Sequence, residues 1–217
     1  MILAAGRGVR MGALTEKTPK PLLKFADHYL IEYSIASLLH AGVRDIVINI
    51  CYHAQQIRDA LGDGSRYGAR FFYSEEKEAL ETGGGIFQAL PLLGNEPFIV
   101  LSADVVTDYP LQKLLDKPEK LAHLVLVDNP AFHPRGDFCL RDSVVYCAAQ
   151  NEFTFANVGV YRRELFADCS PGKFHLGDLL KKAIRDSQVT GEHYRGVWKN
   201  VGTPEELKKT ESDWTGL

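Results

Sequence analysis

Short apolar runs at residues 2–5, 45–50, 70–73 and 98–101 are separated by stretches with helical spacing. This alternation constrains the fold of the 217-residue chain more than any other feature. Apolar residues at Ile31, Ile35, Leu38 and Leu39 predict a helix over 31–41, which Gly42 stops. Residues 54–61 read as a second helix, ended by Gly62. Residues 85–93 read as a third, with Pro91 disturbing its last turn. A fifth strand is expected at 121–127. The second half is less regular, with strands at 137–140, 154–161 and 194–201 and helices at 176–185 and 204–212. Thr203 before Pro204 is a helix cap with proline at the first helical position. Repeated β-α-β of this kind implies an α/β chain whose mostly parallel sheet carries helices on both faces. Ligands of such sheets bind beyond the carboxyl ends of the strands. The loops at 6–20, 80–84, 102–108 and 128–137 are expected along that rim.

Composition is that of an ordinary globular protein, 45% hydrophobic and 24% charged, and is read as one domain over residues 1–217. A net charge of −3 argues against a general nucleic-acid or anionic-membrane surface. No apolar run reaches the ~18 residues that span a bilayer, and no signal peptide is visible, so a cytoplasmic protein is expected. Cys51, Cys139, Cys147 and Cys169 have no metal-binding spacing and read as free thiols. The expected assembly is a monomer or a weak dimer.

The first 24 residues break the acidic balance, with Arg7, Arg10, Lys17, Lys20 and Lys24 against Glu16 alone. They hold Leu3-Ala-Ala-Gly-Arg-Gly-Val-Arg-Met11 and Pro19-Lys20-Pro21-Leu22. Ala4, Ala5, Gly6 and Gly8 lack bulk, so backbone can approach a ligand and offer N–H groups to phosphate. Arg10 adds a planar fork suited to two phosphate oxygens. The prolines stiffen the backbone on both sides of Lys20. Neither the dinucleotide fingerprint nor the P-loop is present, and Asn49 stands where the dinucleotide fold needs an acid.

These two stretches together closely resemble the signature of the sugar-1-phosphate nucleotidyltransferases. The resemblance implies a Rossmann-like three-layer sandwich with a mixed, mostly parallel sheet, the nucleotide-diphospho-sugar transferase type. It also implies an enzyme that joins a nucleoside triphosphate to a sugar 1-phosphate, releasing pyrophosphate, with Mg²⁺ as cofactor. On that basis Leu3, Ala4, Ala5, Gly6, Gly8 and Val9 would line the nucleotide. Arg10 would hold the departing phosphates. Lys20 would bridge the attacked phosphate and the sugar phosphate. Asp104, directly after the strand at 98–101, would be a metal ligand. The second ligand of the family is usually an aspartate before V-G-T; this chain has Asn200, an oxygen donor without charge. Leu80-Glu-Thr-Gly-Gly-Gly85 matches a family motif that contacts base and sugar, placing Gly83 and Gly84 on the nucleotide and Glu81 and Thr82 on the sugar. Asn157 and Gly159 match a strand that reaches sugar hydroxyls.

Leu126-Val-Asp-Asn-Pro130, Pro134-Arg-Gly-Asp-Phe138 and Gly191-Glu-His-Tyr-Arg-Gly196 narrow the resemblance to the branch that couples UTP to N-acetylmuramate 1-phosphate in cell-wall recycling. Asp137 would then contact substrate, and a cation near the lactyl carboxylate is expected, with Arg135 and Arg195 as candidates by composition. The chain is too short for the left-handed β-helix that many relatives append at the C-terminus. The alternatives are a mannose- or glucose-1-phosphate nucleotidyltransferase using GTP or dTTP, and a non-catalytic nucleotide-sugar sensor.

Overall fold

The computed structural model describes residues 1–117 and 119–212; residues 213–217 of the expected domain lie outside the described residues. The elements in chain order are β1 (Ile2–Leu3), α1 (Leu14–Lys17), β2 (Lys24–Phe25), β3 (His28–Tyr29), α2 (Leu30–His40), β4 (Asp45–Ile50), α3 (Ala54–Leu61), β5 (Arg70–Glu75), α4 (Glu81–Leu93), β6 (Phe98–Ser102), β7 (Val105–Thr107), β8 (Ala122–Asp128), β9 (Cys139–Arg141), β10 (Val144–Tyr146), β11 (Phe153–Tyr161), α5 (Leu176–Arg185), β12 (Val189–His193), β13 (Trp198–Asn200) and α6 (Pro204–Ser212).

Nine strands form one mixed sheet in the order β5-β4-β1-β6-β11-β8-β12-β10-β9. The run β5-β4-β1-β6 is parallel, β11 is antiparallel to both β6 and β8, and β12 is parallel to β8. Strand β4 shows why helices cover both faces. Ile46, Ile48 and Ile50 join a core with Ile31, Ile35 and Leu38 of α2 and Ile57 and Leu61 of α3. Val47, pointing the other way, joins a second core with Ile86, Ala89 and Leu90 of α4 and Leu180 and Ile184 of α5. The two-residue side-chain period of a strand thus gives a three-layer sandwich.

Strand β1 lies between β4 and β6, so the chain leaves it on one side and returns on the other. A crevice opens at the carboxyl ends where that reversal occurs. The first strand is shorter than expected because the Ala4 amide leaves the ladder and donates to Asn49 Oδ1 at 2.9 Å. The strand expected at 194–201 is shorter, Trp198–Asn200, and pairs with β7 in a separate ribbon. An unexpected strand before it, Val189–His193, extends the main sheet along β8. The turn between them is pinned where the Asp108 amide and the Thr107 hydroxyl both donate to Val197 O. Helix α4 begins at Glu81 rather than Gly85, so its glycines lie within the helix, which continues through Pro91 to Leu93. The cap of α6 is as expected: the Glu206 amide donates to Thr203 Oγ1 at 3.2 Å, and the Gly202 amide to the Glu206 carboxylate at 2.7 Å. All four cysteines are free. Among the described residues no helix is long and apolar enough to cross a membrane.

Candidate active site

The loop after β1 is shaped by its glycines and by one buried methionine. Gly8 has φ 66°, and a Cβ there would stand 3.0 Å from both Lys20 Cβ and Thr15 Cγ2. Only glycine fits that left-handed, crowded position. Around Gly6 nothing lies within 4 Å of where a Cβ would be, so its backbone faces open space. Met11 is buried and closes the turn through its amide, which donates to Gly8 O at 2.8 Å. Lys20 follows, starting a short 3-10 turn (Lys20–Leu22) after the extended Pro19, and is itself buried.

Lys20 Nζ forms an ion pair and hydrogen bond with Asp104 Oδ2, and Ser102 Oγ donates to Asp104 Oδ1 at 2.6 Å. The cationic loop and the acid after β6 therefore meet at one point. Strand β13 joins them: Asn200 pairs with Val105, and the Val201 amide donates to Asp104 O at 2.9 Å. Asn200 Oδ1 is shut off from solvent and accepts no hydrogen bond among the described residues. A buried amide oxygen without a donor is an exception that calls for a ligand. Asp104 and Asn200 supply oxygen donors of the kind Mg²⁺ prefers. No group of three or more His, Cys, Asp or Glu residues suited to a metal is present among the described residues. A metal at Asp104 and Asn200 would therefore need its remaining ligands from water and substrate. Arg10 borders the same place, its Cζ 3.3 Å from where a Cβ on Gly202 would stand.

Arg10, Lys20, Ser102, Asp104 and Gly202 border a cleft of about 560 Å³. Leu3, Ala4, Ala5, Gly6, Gly8, Val9, Arg10, Lys20, Glu81, Thr82, Asp104 and Asn157 all face it. A second hollow of about 380 Å³ shares Arg10, Thr82 and Asn157 with the cleft and adds Asp137 and Asn200. Two residues of the cleft, Glu81 (φ 60°) and Asn157 (φ 55°), hold left-handed backbone that non-glycine residues rarely adopt. Asn157 sits in the bulge that interrupts the β11–β8 register between Phe155 and Gly159. Strain of this kind collects at binding sites.

Three expected contacts line neither hollow. A Cβ on Gly83 would strike the Phe174 ring at 2.5 Å, and one on Gly84 would meet Gly172 O at 2.2 Å. The amides of Gly83 and Gly84 both donate to Phe174 O. Gly159 backs onto His123 O at 2.9 Å by the same measure. These glycines allow close packing behind the site. Arg135 and Arg195 also line neither hollow.

The structure adds residues that motif reading missed. Asn49 accepts the Ala4 amide and donates through Nδ2 to Glu76 Oε1 at 2.7 Å, while Glu76 Oε2 accepts the Leu80 amide at 2.9 Å. One buried amide–carboxylate pair thus ties the loop after β1 to the loop before α4. Burial pushes the Glu76 carboxyl above the usual range. Lys173 enters the cleft from the segment before α5, 3.4 Å from Glu81 Oε1. An amide inside the apolar strand at 45–50 was a visible signal. Glu76 lay hidden in the charge run Glu75-Glu76-Lys77-Glu78.

An open α/β sheet that gathers free backbone, two cations and a carboxylate at its strand-order reversal defines a phosphate-handling transferase. The nucleotidyl transferase family matches residues 1–137, and the chain belongs to that family. It is an enzyme of the nucleotidyltransferase class. The chain is 46% identical to N-acetylmuramate alpha-1-phosphate uridylyltransferase of Neisseria meningitidis, covering 98% of this chain and 96% of the relative. It is 32% identical to the protein of the same name from Caulobacter vibrioides, over 94% and 92% of the two chains. The solved structure of the inositol-1-phosphate CTP transferase from T. maritima matches in fold. Its TM-score is 0.82 at 18% identity, covering 100% of this chain and 96% of that one.

Proposed function

We propose that this protein transfers the uridylyl group of UTP to N-acetylmuramate α-1-phosphate, yielding UDP-N-acetylmuramate and pyrophosphate, in peptidoglycan recycling. The observation that carries the chemistry is the meeting of Lys20 and Asp104 beneath the glycine loop. The choice of substrates rests on the near full-length similarity to proteins bearing that name.

A sugar-phosphate oxygen attacks the α-phosphorus of UTP. The bond from that phosphorus to the bridging oxygen breaks, and pyrophosphate leaves with the electron pair. Both reactants are polyanions, so positioning and charge neutralisation are what the protein must supply. The backbone from Ala4 to Val9 receives the nucleotide, with Gly6 leaving room for close approach. Arg10 takes the departing phosphates. Lys20, released from Asp104, bridges the α-phosphate and the incoming sugar phosphate. Glu81, Thr82, Asp137 and Asn157 face the sugar. Asp104 and Asn200 would hold Mg²⁺, which supplies further neutralisation of phosphate charge when bound. Gly83, Gly84 and Gly159 act through packing.

The test incubates the protein with each of four nucleoside triphosphates, Mg²⁺ and a panel of sugar 1-phosphates, and measures pyrophosphate. UTP with N-acetylmuramate 1-phosphate should give the highest rate. Preference for GTP with mannose 1-phosphate, or for dTTP with glucose 1-phosphate, would reassign the substrates. Release from no pair would mean a non-catalytic sensor.

A further inference from the structure

The second hollow has one feature that phosphate chemistry does not use. Part of its wall is apolar, with Phe132, Phe155, Leu176 and Trp198, and two of its residues are basic: Arg10 and His133. Arg10 is shared with the phosphate cleft. His133 stands apart on a tightly built turn. Its amide donates to Pro130 O at 2.8 Å, and the Gly136 amide donates back to His133 O at 3.2 Å. Gly136 has φ 58°, and a Cβ there would stand 2.5 Å from Asn129 Oδ1. Asn129 in turn accepts from Thr154 Oγ1 at 2.9 Å and donates to Asn151 O at 3.1 Å. The turn is thus fastened to β11 and held at a set distance from the hollow.

The ring itself is oriented. His133 Nε2 lies 3.0 Å from Asp137 Oδ1, and Asp137 Oδ2 accepts the Phe155 amide at 2.8 Å. Asp137 therefore has both oxygens engaged, and it lines the hollow together with the imidazole that it holds. A carboxylate on one ring nitrogen fixes the ring's orientation and leaves the other nitrogen for a different partner.

We propose that His133, oriented by Asp137, reads the carboxylate of the sugar substrate and sets the preference for it. The proposal rests on the substrate reading above. Asp137 takes Nε2 and the lactyl carboxylate takes Nδ1, and both nitrogens donate when the ring is protonated. The apolar wall receives the ring face and the lactyl methyl group.

The test compares N-acetylmuramate 1-phosphate with N-acetylglucosamine 1-phosphate, the same sugar without the lactyl ether, in the wild type and in His133→Gln. Glutamine keeps a donor towards Asp137 and removes the second nitrogen and its charge. Losing a hydrogen bond to a charged group corresponds to about a tenfold to hundredfold rise in KM for the muramate substrate. The kcat and the kinetics on the glucosamine substrate should move far less, so that the preference collapses. A variant that keeps the wild-type preference overturns the proposal. So does one that loses both sugars equally, which would mark a merely structural residue. A wild-type protein that uses both sugars alike sinks the substrate reading, and this proposal with it.

Discussion

Asn49→Ala removes one side chain and two interactions that hold the floor of the cleft. The Ala4 amide, nearly inaccessible to water, loses its acceptor at 2.9 Å. The buried Glu76 carboxylate loses its donor at 2.7 Å. An unsatisfied buried amide costs about 1–3 kcal/mol, and a lost hydrogen bond to a charged group about 1.5–3 kcal/mol. The combined loss is about 3–5 kcal/mol, a large fraction of the roughly 5–15 kcal/mol that stabilises a typical domain. Urea unfolding at neutral pH reads this directly. With a slope of about 1–3 kcal/mol per molar, the midpoint should fall by about 1–5 M. The loop after β1 should loosen too, and the KM for UTP should rise in the fraction that stays folded. A loss below about 1 kcal/mol would mean that Asn49 does not hold the cleft floor, because water or a shifted backbone would then be replacing the amide without difficulty.

Other consequences follow from the same contacts. Because burial holds the Glu76 carboxyl above its usual range, the folded protein binds that proton more tightly than the unfolded chain. The contribution of Glu76 to stability therefore falls as pH rises above the ordinary glutamate value of about 4.3. The stability of wild type relative to Glu76→Gln should accordingly decline as pH rises from the ordinary glutamate value through the raised folded-state one; thermal melts of both proteins across that rise check the sign, and a difference that grows with pH contradicts it. Asn200→Asp adds a charge beside Asp104 and should tighten Mn²⁺ binding to the nucleotide-free protein in a spectroscopic titration. An unchanged titration would exclude Asn200 as a ligand.

Much of the framework was legible because local pattern and burial agree. The run at 45–50 alternates between two cores, and the helices over 54–61 and 176–185 fall at their expected bounds. Lys20 and Asp104 were legible as motif positions, although their contact across 84 residues was not. Strand β12 escaped notice because Thr190-Gly-Glu-His193 is polar and becomes a strand only by pairing along β8. The start of α4 was misplaced for a related reason. Three glycines are poor helix formers, and their helix is held by tertiary hydrogen bonds from Gly83 and Gly84 to Phe174 O. Glu76 and His133 illustrate a third limit. Burial and orientation come from distant partners, and no spacing along the chain encodes them.

The account stands on Lys20 acting upon the substrate phosphates rather than merely neutralising Asp104. The direct measurement is pyrophosphate release from UTP and N-acetylmuramate 1-phosphate by Lys20→Ala, with circular dichroism confirming the fold. Removing one well-placed donor to developing charge costs about 2.7–4 kcal/mol, so turnover should drop about a hundredfold to a thousandfold. A folded variant that turns over at the wild-type rate would contradict the account.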